Sequence, residues 1–240
     1  MSRSDTTLQV LAVIPARGGS RGIPRKNLQS IGGKSLVQLA IECCKQSRLI
    51  SRILLSTDSQ EIARESERHG VSVPVLRPSH LATDSATDGD LFSHILVELE
   101  QNESYKPDIL VNVRPTAPLR VANDIDSAIA MLIENPQLRS IKSVCLCDAH
   151  PRKMWSIQAG ELNALDPHLE KLFPDPDTPR QLLPEYYQSN GAVDACWTKY
   201  LRIFGRMHTT NMGALIMPRE RSLDIDNSSD LEYARHVFKG

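Results

Sequence analysis

Two kinds of segment alternate along the chain. Short apolar runs predict strands at Leu8-Gln-Val-Leu-Ala-Val13, Arg52-Ile-Leu-Leu-Ser56, Val71 to Leu76 (broken by Pro74), Ile109-Leu-Val-Asn-Val113 and Ser143-Val-Cys-Leu-Cys147. Between and after them, helical spacing predicts helices at Ser35 to Cys44, Gln60 to His69, Thr87 to Glu100, Asp124 to Glu134 and from Asp230 onward. Ser35 suits a helix N-cap, Gly70 a helix end, and Asp88 and Asp90 a positive helix N-terminus. This alternation predicts an α/β fold with a mostly parallel sheet, in which ligands bind beyond the carboxyl ends of the strands. Around Asp148 the texture changes. From His150 to Pro184 the chain is proline-rich and charged with little periodicity, which reads as a functional excursion or a partner contact.

Composition narrows the reading. The 240 residues suit a single domain, 1–240, with ample core. A net charge of −1 provides no global field for nucleic acid or a membrane surface. Five cysteines, with Cys43 beside Cys44 and Cys145 one residue from Cys147, lack zinc spacing and read as reduced core thiols. Met1 to Thr7 is short and polar and no 18-residue apolar span occurs, so the expectation is a cytoplasmic protein. His80, His94, His168, His208 and His236 show no ligand spacing and read as surface or packed side chains.

The chemistry concentrates after the first strand. In Ile14-Pro-Ala-Arg-Gly-Gly-Ser-Arg-Gly-Ile-Pro-Arg-Lys-Asn27, Gly18, Gly19 and Gly22 interleave with Arg17, Arg21, Arg25 and Lys26. Glycines let backbone amides approach an anion closely, and guanidinium and ammonium groups neutralise phosphate oxygens. The string is neither a P-loop nor a dinucleotide fingerprint, whose glycine spacings differ. A basic loop on a nearly neutral protein points to a small anion such as a triphosphate. Thr57-Asp58-Ser59 and Arg114-Pro-Thr-Ala-Pro-Leu-Arg120 fall at the same strand ends. Asp224 and Asp226 are one residue apart, so an extended backbone turns both carboxylates to one side, a donor set suited to Mg²⁺. A surface loop or a helix N-cap is the alternative reading of that pair.

Ile14 to Asn27 resembles the N-terminal signature of the CMP-N-acylneuraminate synthetases, cytidylyltransferases that activate sialic acids and related nine-carbon sugars. Further matches follow in order: Leu76 to Thr87, Arg114 to Arg120, His150-Pro-Arg-Lys153, Pro179 to Pro184, Asn190-Gly-Ala192, and Asp224-Ile-Asp226 with Asp230-Leu231. The resemblance implies a Rossmann-like nucleotidyltransferase fold with a dimerisation excursion at 148–192. It implies transfer of CMP from CTP to a 3-deoxy-2-keto sugar acid, with release of pyrophosphate. Arg17, Arg21, Lys26 and Asp226 would then be catalytic. Ala16, Arg17, Ser20, Asn27, Arg77, Ser85 and Thr87 would bind the nucleotide, and Arg25 would be solvated or act at one remove. Arg114, Lys153, Arg180, Gln181 and Asn190 would bind the sugar, and Asp224 and Asp226 would hold Mg²⁺. The implied assembly is a homodimer in which Lys153 reaches the partner's site, with no nucleic acid or membrane partner.

Two residues depart from the family pattern. Arg114 stands where glutamine is common and Asp194 where an aromatic residue is common. They suit either a mutual pair or a site reading a different amino or acylamido substituent, so legionaminic, pseudaminic and deaminated acids stand beside N-acetylneuraminate as acceptors. A CMP-octulosonate synthetase shares the chemistry, but its loop reads Pro-Gly-Lys-Pro where this chain has Pro24-Arg-Lys-Asn27. A nucleotidyltransferase for another substrate pair and a non-catalytic nucleotide-sugar sensor are the remaining readings. Retention of both aspartates and the loop cations argues against the sensor.

Overall fold

The computed structural model describes residues 8–20 and 22–238. Its strands are β1 (Val10–Pro15), β2 (Ser30–Ile31), β3 (Lys34–Ser35), β4 (Arg52–Ser56), β5 (Ile109–Asn112), β6 (Ser140–Leu146), β7 (Trp155–Gln158), β8 (Glu161–Ala164), β9 (Tyr187–Trp197) and β10 (Met212–Ile216). Its α-helices are α1 (Leu36–Gln46), α2 (Gln60–Arg68), α3 (Asp88–Glu103), α4 (Ala122–Glu134), α5 (Pro167–Leu172), α6 (Thr198–Phe204) and α7 (Ser228–Val237). Six strands form one sheet in the order β10-β6-β9-β5-β1-β4. β4, β1 and β5 pair in parallel, as do β6 and β10, and β9 runs antiparallel to both of its neighbours. The mostly parallel α/β architecture expected from the sequence is therefore present.

Side-chain alternation along β1 explains the layering. Val10, Ala12 and Ile14 pack with Val37, Ala40 and Ile41 of α1 and Ile125 and Ile129 of α4. Leu11 and Val13 face the other way and join Leu91, Phe92 and Leu96 of α3 and Leu201 of α6. Both faces of this strand are covered, so it reads as a continuous apolar run. Local caps start the helices as expected. The Ser35 hydroxyl accepts from the Gln38 amide at 3.0 Å, and Thr87 forms a capping box with Asp90. All five cysteines are buried and unbridged.

Three features differ from the sequence expectation. Val71 to Leu76 forms one bridge, Leu54 to Ser72, and no strand; Pro74 lacks the amide that the next parallel rung requires. The alternation missed β9, because its stretch Gln188-Ser-Asn-Gly-Ala-Val-Asp194 carries buried polar residues, and it missed α6 and β10 as well. The excursion is not structureless: it contains the β7–β8 hairpin and the short helix α5, both largely exposed.

Candidate active site

A cleft of about 430 Å³ opens beyond the carboxyl ends of β1 and β5. Here β1 leads outward to β4, while β5 leads toward the β9–β6 half of the sheet, and such a switch point is where α/β sheets place ligands. Pro15, Arg17, Ser20, Gly22, Lys26 and Asn27 supply one wall, Thr83, Asp84 and Ala86 to Asp88 another, and Arg114 to Thr116 with Asp226 a third, with Arg77, Leu81 and Leu91 also lining it.

The glycine-rich loop is held open by its own contacts. The Gly18 amide donates to Asp58 Oδ1 at 2.8 Å, and Asn27 Nδ2 donates to the Arg17 carbonyl at 2.9 Å. Gly22 lies so close to Asp226 that an added Cβ would meet its carbonyl oxygen at 2.6 Å. Lys26 Nζ donates to the Ile225 carbonyl at 2.8 Å and sits 3.4 Å from Asp226 Oδ1. Thus the loop after the first strand is tied to a segment 200 residues later. Arg17 reaches across the cleft to Asp84 at 2.7 Å. Arg25, in the left-handed region with φ of 53°, pairs with Glu61 and does not line the cleft, as a solvated side chain would. Arg21 lies outside the described residues.

The nucleotide-side expectations divide. Arg77 is buried at 8% exposure, lines the cleft, and donates from Nε to Ser56 Oγ at 3.2 Å and from Nη2 to the Ser56 carbonyl at 2.7 Å. Burial lowers its pKa, with the charges of Asp58 and Asp88 opposing that shift. A guanidinium held by neutral oxygens is a ready counter-group for an anion or a polar base edge. Thr87 lines the cleft, but its hydroxyl is engaged with Asp90 as the α3 cap. Ala16 is buried with its amide spent on the Ser56 carbonyl at 2.9 Å. Ser85 is exposed and faces Thr83 at 3.2 Å; its neighbours line the cleft and it does not.

Arg114 and Asp194 pair with each other. Arg114 Nη1 lies 2.7 Å from Asp194 Oδ2, and Nη2 lies 2.5 Å from Asp88 Oδ2. Lys142 and His208 approach Asp194 Oδ1 at 3.6 and 3.3 Å. Burial alone would raise the Asp194 pKa, but the hydrogen bond from His208 and the charges of Arg114, Lys142 and His208 outweigh it. The carboxyl is held well below the usual range. Arg114 is raised in turn: burial opposes its charge, and Asp194 and Asp88 more than compensate. Sequence reasoning missed Asp84 as a partner of Arg17 and read Asp88 as a helix-dipole residue only. The one available signal for Asp88 was its position in the loop that resembles the base-proximal element.

The remaining expectations are redistributed. Asp226 lines the main cleft with its side chain 77% exposed, whereas Asp224 opens onto a neighbouring cavity with Asn190 and Ser222. Burial raises the Asp224 pKa, a hydrogen bond from Thr116 opposes this, and the nearby charge of Asp226 adds to it. Asp224 Oδ1 is buried without a hydrogen-bond partner among the described residues. Asn190 does not face the cleft. Its amide binds Ser143 Oγ at 2.6 Å, Ser222 Oγ at 2.9 Å and the Ala192 amide at 3.2 Å, an internal brace. Lys153 donates to the Pro176 carbonyl, and Arg180 and Gln181 line a different cavity with His150 and Tyr186. Within one chain these three do not meet Arg114, because the excursion leaves from β6, two strands away from β5. His208, read as a bland side chain, is a partner of Asp194.

The comparisons with known proteins agree with this geometry. A family model described as cytidylyltransferase matches residues 11–154. The chain is 30% identical over 232 residues to an N-acylneuraminate cytidylyltransferase of Escherichia coli O18:K1:H7, covering 94% of this chain and 51% of that protein. It is 33% identical over 162 residues to a CMP-N,N'-diacetyllegionaminic acid synthase of Legionella pneumophila, covering 68% of each. A solved CMP:2-keto-3-deoxy-manno-octonic acid synthetase complexed with CTP shares the fold, with a TM-score of 0.67 at 16% identity over 96% of this chain and 98% of that one. With the glycine-rich cationic loop at the sheet's switch point and the family model spanning more than half its length, this chain belongs to the cytidylyltransferase family.

Proposed function

We propose that this protein transfers the cytidylyl group of CTP to the anomeric hydroxyl of a nine-carbon 3-deoxy-2-keto sugar acid of the sialic or legionaminic type, releasing pyrophosphate. The observation that carries the reading is the convergence of Arg17, Lys26 and Arg77 on one cleft whose rim bears Asp226. The anomeric oxygen bonds to the α-phosphorus as the bond to the bridging oxygen of pyrophosphate breaks. Negative charge develops on the α-phosphoryl and leaving oxygens, so fixed cations at the loop lower the barrier by positioning and electrostatics. Asn27 braces the Arg17 carbonyl and so the loop backbone, and Lys26 Nζ is held by the Ile225 carbonyl, while the Arg17 guanidinium is paired with Asp84 across the cleft. The relatives at 30 and 33% identity are named for nine-carbon acids, which supports that acceptor class over the octulosonate.

Asp224 and Asp226 fit a divalent cation and would hold Mg²⁺. The unpartnered Asp224 Oδ1 and the mutual repulsion of the two carboxylates are both relieved by a cation with oxygen preference. When bound, it supplies further charge stabilisation to phosphate oxygens. Exposed Ile157, Leu162 and Leu182 in the excursion and Ile216 on edge strand β10 support a homodimer, which would bring the partner's Lys153, Arg180 and Gln181 to the acceptor end.

Pyrophosphate release, measured with CTP, Mg²⁺ and a panel of nonulosonic and octulosonic acids, tests the reading. Turnover with a nine-carbon acid is the expected result. Turnover with an octulosonate alone would reassign the acceptor, and a protein that does not bind CTP would sink the reading altogether.

A further inference from the structure

The cleft has a direction set by the sheet. Arg77 is anchored on Ser56 at the end of β4, the cationic loop follows β1, and Arg114 follows β5. Strand order places β1 between β4 and β5. A triphosphate over the central loop therefore has the Arg77 flank on one side and the Arg114 flank on the other. With the nucleoside at Arg77, the acceptor occupies the β5 flank.

What that flank offers is decided by how Arg114 is spent. One terminal nitrogen is taken by Asp194 and the other by Asp88. Two carboxylates compensate one guanidinium, so Arg114 is a poor anchor for a further anion. Asp88, by contrast, lines the cleft with 43% of its side chain exposed. Its Oδ2 receives Arg114 and also Asn112 Nδ2, at 3.3 Å, while Oδ1 has no hydrogen bond among the described residues. The carboxylate is held on one oxygen and available on the other. Its acceptor lone pairs suit a hydroxyl or N–H donor and repel a carboxylate. Gly89 fixes the approach of this helix end, since an added Cβ there would meet the Gly205 carbonyl at 2.1 Å.

We propose that Asp88, oriented by Arg114, is a specificity-determining residue that accepts a hydrogen bond from a hydroxyl or amide N–H substituent of the acceptor sugar acid. This rests on the cytidylyltransfer reading above. Asp194 is then a positioning residue acting through Arg114.

The test compares wild type with Asp88→Asn, using N-acetylneuraminate and N,N'-diacetyllegionaminate as acceptors and calorimetry for CTP. Losing a hydrogen bond to a charged group predicts an acceptor KM roughly tenfold to a hundredfold higher, with CTP affinity within about twofold of wild type. An unchanged acceptor KM overturns the proposal. So does a fall in CTP affinity that matches the fall in acceptor binding, which would put Asp88 on the nucleotide. Should Asp88→Asn fail to fold by thermal melt, Asp88→Glu, which keeps the charge and moves it by one methylene, is read by the same measures. Wild type that binds CTP and turns over no acid would instead defeat the acceptor class, and this proposal with it.

Discussion

Replacing Asp194 by Asn removes one charge from the middle of the sheet and leaves its shape almost intact. The carboxylate is 1% exposed and is approached by Arg114, Lys142 and His208. Breaking a buried ion pair from one side costs roughly 3–5 kcal/mol, because the remaining charges stay desolvated. Here each cationic partner keeps about a quarter of its side chain in water, and Asn can still accept from Arg114, so the lower end, about 3 kcal/mol, applies. At about 2.1 cal/mol/K per residue over 240 residues, the unfolding entropy is about 0.5 kcal/mol/K, which converts the loss to a Tm about 6 °C lower. The pH dependence has a definite sign. The folded pKa of Asp194 is depressed, so its stabilisation is present in full above the unfolded value, about 3.9, and is lost as pH falls toward the folded value. Thermal melts of both proteins between pH 3 and 8 should show a steady gap above pH 5 that narrows below about 4. Equal stability of the two proteins at pH 7, or a gap that persists unchanged into acid, would refute the reasoning.

Gly22→Ala forces a Cβ against the Asp226 carbonyl, so the loop and Asp226 must separate; CTP affinity measured by calorimetry should fall at least about tenfold while the melt changes by only about 1–3 kcal/mol. Asp224 behaves oppositely to Asp194. Its folded pKa is raised by burial, so the ionised group costs stability once pH rises above its unfolded value. Asp224→Asn should therefore melt higher than wild type at pH 7 without metal, and Mg²⁺ should raise the Tm of wild type but not of the variant. Arg17→Ala removes a cleft cation paired with Asp84 and should lower kcat by about a hundredfold to a thousandfold, with the circular dichroism spectrum unchanged.

Several parts of the fold and site were legible from neighbouring residues. Ser35 and Thr87 cap their helices through contacts three residues long, and the glycines and cations of the first loop advertise an anion regardless of context. Asn190 and Ser85 lie off the cleft wall, and the sequence could not show this for one physical reason. A polar side chain near a motif has no label stating whether its hydrogen bonds are spent internally, and those of Asn190 are spent on residues 32 and 47 positions away.

By itself, then, the sequence determined the alternation of apolar strands and amphipathic helices, the loop that follows β1, and the buried thiols. Each follows from periodicity, capping or composition within a few residues. Tertiary structure alone decided that polar β9 enters the sheet antiparallel between β5 and β6, setting Asp194 beside Arg114 and through it orienting Asp88. It also decided that Lys26 meets Asp226 across 200 residues. Such pairings depend on strand register and on which cations share one buried carboxylate, and both exist only once distant parts of the chain have closed on a common core.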